Sequence, residues 1–223
     1  MYEVEIKSLL GSRDNAKKLK EKLVAKYPNT KLVGHGKQLN HYFNLPKDQS
    51  KLIENITPII DSKKKEALKN ILVHGHKISI RTRQTDDKVI LVLKASVGDD
   101  TSSNGVKRLE FESVVSMALH QLDDVLLKSG CTYQAKWSRE REEYESGSMH
   151  VCIDKNAGYG YLAEFEIIVH DDNELELTRQ FLLEEMESLG FGELLQDRLE
   201  RMFSHYNANW SEYYGTDKTF SIE

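Results

Sequence analysis

Cysteine is almost absent from this chain. Cys131 and Cys152 are the two present; they show no metal-ligand spacing and no disulfide framework, so reduced thiols of a cytoplasmic protein are the expectation. No apolar run approaches the roughly 18 residues that would predict a membrane-spanning helix. The N-terminal stretch is acidic and has no apolar core, so no secretory signal is expected there. A basic excess is missing too: 31 Lys and Arg face 36 Asp and Glu, a formal net charge of −5. That balance argues against a general nucleic-acid binder, whose footprint is basic. Internal repeats, low-complexity tracts and recognisable linkers are lacking as well.

What is present is alternation. In Tyr2-Glu3-Val4-Glu5-Ile6-Lys7 the charges fall on every second residue, with apolar Val4 and Ile6 between them. A strand sends successive side chains to opposite faces, so Glu3, Glu5 and Lys7 share one face. At 223 residues, with 39% apolar side chains, the chain is long enough to form one β-barrel around a core.

Along the chain, Ser12 is placed to cap a helix with the stripe Ala16, Leu19, Leu23 and Tyr27, stopping near Pro28. Residues 38–44 read as a strand ending at Pro46. Asp61 opens a helix running to Leu72 and stopped by Gly75, with His74 and His76 on either side. Two histidines at that spacing could hold a metal; a solvated turn is the simpler reading. Residues 77–94 form a hairpin around Thr85-Asp86-Asp87-Lys88. A polar loop from Gly98 to Gly105 precedes the strand Arg108-Leu109-Glu110-Phe111-Glu112. Residues 114–129 read as an amphipathic helix closed by Gly130. Strands follow over 133–144, 149–155 and 161–169, with Gly158-Tyr159-Gly160 as a turn. The glycine pair lacks the strand–loop–helix context of a phosphate loop. Asn173 is placed to cap a helix through Leu177, Phe181, Leu182, Met186 and Leu189, and 193–214 complete a helical tail.

Collected by face, the acids are Glu3, Glu5, Glu110, Glu112, Asp154, Glu164 and Glu166. The bases are Lys7, Arg81, Arg83, Lys94, Arg108, Arg139 and Arg141. These sets match in number and can balance one another inside a polar lumen, with the intervening apolar residues covered by helices outside. Desolvated charges need partners, so such a lumen implies an occupant. Clustered arginine and lysine suit a phosphate chain. Clustered carboxylates suit hard, oxygen-preferring cations, Mg2+ or Mn2+. The two sets together describe a site for a metal-bound triphosphate.

These motifs resemble those of the CYTH family, the triphosphate tunnel metalloenzymes. The Glu-x-Glu-x-Lys signature is met by Glu3, Glu5 and Lys7. The Arg-x-Arg strand resembles Arg81 and Arg83, and a strand-end lysine resembles Lys94. Arg108, Glu110 and Glu112 match Arg-x-Glu-x-Glu; Arg139, Arg141 and Tyr144 match a basic-x-Arg-x-x-Tyr strand. Asp154, Gly158, Gly160, Glu164 and Glu166 match the closing block. Order and spacing agree over residues 1–170. The resemblance implies an α+β fold, an eight-stranded antiparallel β-barrel (a tunnel) with a charged lumen and helices packed outside. One domain is expected over 1–223, with residues 47–76 an insertion that could be a lid, a homodimer contact or a decoration, and a helical part over 171–223.

The same resemblance implies an enzyme acting on a small-molecule triphosphate with Mg2+ or Mn2+; the charge balance and the lack of a long apolar run are what leave nucleic-acid and membrane partners unexpected. Hydrolysis leads, with Glu5, Glu164 and Glu166 holding a metal and Glu3 or Glu112 near a second ion. Lys7, Arg81, Arg83, Lys94, Arg108, Arg139 and Arg141 would grip the phosphates. Lys7, Arg141, Glu110 and Asp154 form the catalytic set, one of the last two orienting water. Other readings are a class IV adenylyl cyclase making cAMP and pyrophosphate, a non-catalytic polyphosphate-binding module, and a barrel whose charges are surface ion pairs. One departure stands out: where the family often has an acid, in Gln-x-Asp-x-Tyr-Phe, this chain has Asn40 beside His41.

Overall fold

A computed structural model describes residues 2–96 and 108–222; at Tyr2, Glu3, Ser96, Arg108, Leu109 and Asp172 it describes the backbone alone. The polar loop expected from Gly98 to Gly105 lies outside the described residues. In chain order the elements are β1 (Tyr2–Gly11), α1 (Arg13–Lys26), β2 (Lys31–Asn44), α2 (Ser50–Ile56), α3 (Lys65–His74), β3 (His76–Thr85) and β4 (Lys88–Ser96). Then come β5 (Arg108–Val115), α4 (Leu119–Lys128), β6 (Thr132–Ser146), β7 (Met149–Asn156), β8 (Gly160–Val169), α5 (Leu175–Ser188) and α6 (Gln196–Tyr213). The eight strands form one antiparallel sheet in the order β1-β8-β7-β6-β2-β3-β4-β5. The fold is α+β, as the family resemblance implies. No helix among the described residues is long and apolar enough to cross a membrane.

The chain divides into two compact units, residues 1–36 with 139–223 and residues 37–138. In the first, α1 and α5 pack on β1 and β8. Their cover is supplied by Leu19, Leu23, Leu182 and Met186, against Ile6, Val151, Ala163 and Phe165 from the strands. The strand residues are the apolar members of the period-two pattern, so the alternation itself decides which face the helices bury. In the second unit, α3 packs on β4 and β5, and α4 on β3. There the core gathers Leu68, Ile71, Leu122 and Leu126 with Ile80, Leu91, Leu93 and Phe111.

Local signals account for several ends. Ser12 Oγ accepts from the Asn15 N–H at 3.2 Å, capping α1. Asp61 accepts from the Lys63 N–H at 2.9 Å, opening the turn that leads into α3. Gly158 and Gly160 sit at φ +83° and +74°, the left-handed region that glycine enters without a Cβ clash. Gly75 ends α3 for a different reason than a left-handed cap. Its φ is −74°, but a Cβ there would lie 2.4 Å from the Ile71 carbonyl oxygen and 2.5 Å from the Ala95 Cβ.

Four expectations change. Val114 and Val115 belong to β5, and α4 begins only at Leu119; a β-branched pair next to a helical stripe fits either period. The strand expected over 38–44 begins at Lys31. Asn173 lies within the 3-10 turn Asp172–Glu174 and does not cap α5, whose N-cap is Glu174. Leu177, expected on a buried stripe, is 76% exposed. Residues 47–76 form α2, the turn and α3, and bury Leu52, Ile56, Leu68 and Ile71 in the core of their unit.

Candidate active site

Each unit carries charge on the sheet face opposite its helices. In the first, the β1–β8 ladder sets Glu5 opposite Glu166 and Lys7 opposite Glu164. The β7–β8 ladder sets His150 opposite Glu166 and Cys152 opposite Glu164. The β6–β7 ladder adds Arg141 opposite Asp154 and Glu143 opposite Cys152. Directly opposed residues of an antiparallel pair share a face, so the register joins four period-two patterns into one charged surface.

Its centre is Arg141. The guanidinium donates from Nε to Asp154 Oδ1 and from Nη2 to Asp154 Oδ2, both at 2.7 Å, and also to Glu164. Asp154 takes a further hydrogen bond from Arg139 Nη1 at 2.9 Å and is 1% exposed. Glu164 faces Lys7 Nζ at 3.2 Å, and Lys7 also pairs with Glu5. Burial alone would push the Glu164 carboxyl up, but Lys7, Arg141 and Arg139 together hold it well below the usual carboxylate range. For Arg141, burial disfavours the charge and is outweighed by Asp154 and Glu164, which raise its pKa. Burial pushes the Cys152 thiol up to about 12, Arg141 opposing and Glu164, Glu166 and Asp154 adding to the rise. Glu166 Oε1 is 2.5 Å from His150 Nδ1.

In the second unit, Arg83 Nε donates to Asn40 Oδ1 at 2.9 Å, and its Nη1 lies 3.4 Å from Glu112. Asn40 thus holds Arg83 through its side-chain oxygen. Lys94 and Glu110 form an ion pair at 2.9 Å. Both are well exposed, so the pair stabilises by no more than about 1 kcal/mol. Arg81 Nη1 donates to the Tyr42 hydroxyl at 2.5 Å. Its Nε is buried and has no hydrogen-bond partner among the described residues. A buried guanidinium donor left unmet is what an anionic ligand would satisfy.

Of the residues singled out by sequence, Glu5, Lys7, Arg139, Arg141, Asp154, Glu164 and Glu166 are brought together in the first unit. Arg81, Arg83, Lys94, Glu110 and Glu112 share a face in the second. For Glu3 and Arg108 only the backbone is described, opposite Ile168 and Ser96 respectively. Glu143 and His150 are not among the residues singled out by sequence, although the same period-two rule reaches both. A buried network on the helix side has no sequence signal: Asp123 is bonded to His41 at 2.6 Å, Thr82 at 2.6 Å and Tyr133 at 2.8 Å. Those partners are far apart in sequence and carry no local signal. His74 bonds to Asn70 at 2.9 Å on the surface of α3.

An antiparallel α+β sheet with a face of interleaved acids and bases defines the class. The particular family follows: the CYTH domain matches residues 1–198, and the chain belongs to the CYTH family. No curated protein matches it by sequence. Among solved structures it is similar to a conserved hypothetical protein from Pyrococcus furiosus, at 18% identity and a TM-score of 0.58, covering 88% of this chain and 93% of that one. It is also similar to a candidate adenylate cyclase from Vibrio parahaemolyticus, at 13% identity and a TM-score of 0.58, covering 92% and 98%. A third is a candidate adenylyl cyclase from Hippeastrum described as having a dominant triphosphatase activity, at 14% identity and a TM-score of 0.52, covering 92% and 96%. At these identities the likeness establishes the fold alone.

Proposed function

We propose that this protein hydrolyses a small-molecule triphosphate, inorganic or organic, with Mg2+ or Mn2+. The observation that carries the reading is the half-buried face on which Lys7, Arg139 and Arg141 interleave with Glu5, Asp154, Glu164 and Glu166. A surface meant only to hold an anion would gain little from so many carboxylates.

Glu5, Glu164 and Glu166 offer oxygen donors of the kind hard divalent ions prefer, and Glu3 or Glu112 would serve a second ion. The ion, when bound, neutralises phosphate oxygens and polarises the phosphorus they surround. Lys7, Arg81, Arg83, Lys94, Arg108, Arg139 and Arg141 hold the phosphate chain and offset the charge that builds on the leaving group. Lys7 and Arg141 contact Glu164 directly, so they would sit closest to the reacting phosphate. Both oxygens of Asp154 accept from arginines, which suits Asp154 to position Arg139 and Arg141. Glu110, on an exposed pair with Lys94, is the better candidate to orient water and take its proton as the water oxygen bonds to phosphorus and the bridging bond breaks.

The test is a panel of tripolyphosphate, thiamine triphosphate and ATP, each with and without Mg2+ or Mn2+. Metal-dependent release of phosphate supports the proposal. Formation of cAMP and pyrophosphate from ATP would replace it with the cyclase reading, and binding without turnover would leave a phosphate-binding module.

A further inference from the structure

Next to the carboxylates of β8 lies a set of side chains of a different chemical character. Glu143, His150 and Cys152 each present a ligand atom, and these atoms all lie within 4.8 Å of one another. We infer that they form a binding site for a divalent cation of the zinc class, separate in chemistry from the all-oxygen set proposed for Mg2+ or Mn2+.

Donor type is the first reason. Thiol sulfur and imidazole nitrogen select borderline and soft ions, whereas Mg2+ takes oxygen and holds its water tightly. Three protein ligands with a fourth position open to water is an established zinc geometry. The exposures fit it: Cys152 is 1% exposed, while the side chains of His150 and Glu143 are 31% and 36% exposed, which leaves the ion a wet side.

Orientation is the second. His150 Nδ1 is 2.5 Å from Glu166 Oε1 and 3.8 Å from Cys152 Sγ, while Nε2 is 3.7 Å from Glu143 Oε2, so the ring stands between the other two ligands and Nε2 is the nitrogen that Glu166 does not engage. A carboxylate behind the imidazole is the usual support of a histidine that binds metal. Two ligands bound to one tetrahedral zinc stand roughly 3.3 Å apart, so small side-chain rotations close the site. Glu143 lies over Gly34, whose lack of a side chain leaves it room, since an added Cβ there would fall 3.2 Å from its carboxyl carbon.

Charge is the third. Glu164 and Glu166 add negative field at the thiol, and Arg141, whose charge opposes them there, is already engaged by Asp154 and Glu164. On binding, the Cys152 thiol loses its proton to solvent, and the sulfur, the imidazole and the Glu143 carboxylate bond to the ion without any change of redox state.

The experiment is titration of the full chain with Co2+ under a non-thiol reductant, read by the near-ultraviolet thiolate-to-cobalt band. The band is expected to saturate at one thiolate-bound Co2+ per chain and to disappear when Zn2+ displaces it. Cys152→Ser should abolish the band and Cys131→Ser should leave it. Glu166→Gln should keep the band but weaken binding about 10- to 100-fold. Absence of the band in the intact chain, or its loss in Cys131→Ser with survival in Cys152→Ser, overturns the proposal. Should Cys152→Ser not fold, Glu143→Gln reads the same site; unchanged Co2+ affinity there would overturn it equally. None of these readings depends on triphosphate hydrolysis.

Discussion

Arg141 and Asp154 meet edge to edge through two parallel hydrogen bonds of 2.7 Å, on directly opposed residues of β6 and β7. A bidentate pair buried this deeply is costly to break, because the surviving charges stay desolvated. Asp154→Asn keeps the shape and removes the charge facing both Arg139 and Arg141. We expect a loss of about 3–5 kcal/mol, which for a chain of this size lowers the melting temperature by roughly 10 °C or more. Thermal unfolding followed by circular dichroism measures it, and an unchanged melting temperature would mean that the pair adds nothing to stability.

Glu164 joins the two sides of the proposed site, since it touches both Lys7 and Arg141. Glu164→Gln preserves size but withdraws a negative oxygen from the metal set. Metal-dependent phosphate release should drop at least ~10²-fold, the range seen when one preorganised electrostatic group is removed. Undiminished release by a folded variant would remove Glu164 from the metal set.

The Asp123 network predicts a pH dependence of stability. Burial would raise the Asp123 carboxyl, but hydrogen bonds from His41, Thr82 and Tyr133 win and lower it. A carboxyl with a lowered folded-state pKa stabilises the protein above its unfolded value, near 3.9, and that contribution fades as pH falls through the folded value. The stability gap between the native chain and Asp123→Asn should therefore be full at pH 6 and shrink below about pH 4. Urea unfolding across that range decides it; a gap that does not change with pH would rule the ionised carboxylate out.

Residues 47–76 look removable in the sequence, yet Leu52 and Leu68 are completely buried. Leu68→Ala should cost about 2–5 kcal/mol, the price of a cavity in a packed core. Chemical denaturation gives the value directly. A cost near zero would show that the segment is a loose decoration after all.

The strands were legible because their signal is local. Period two needs no partner to be seen, and it sorted Ile6 from Lys7 and Phe165 from Glu164 onto opposite faces, as the structure has them. Ser12 and Asp61 were equally readable, since a capping side chain bonds within three residues of itself. Misreadings arose where two periods overlap or where the pattern is diluted. Val114 and Val115 satisfied a helical stripe and a strand alike; Gly34 and Gly36 hid the first half of β2. The short α2, with two buried residues, was below what periodicity can resolve.

Amino-acid order alone settled which residues are charged, their spacing of two, the face each strand offers to its helices, and the family to which the motifs belong. Folding decided the rest: that Arg141 meets Asp154, that Glu5 stands opposite Glu166, that Asn40 answers Arg83, and that Asp123 gathers three donors from β2, β3 and β6. The reason is physical. Alternation follows from the geometry of a single strand, whereas a partner is chosen by register, which only the packed sheet provides.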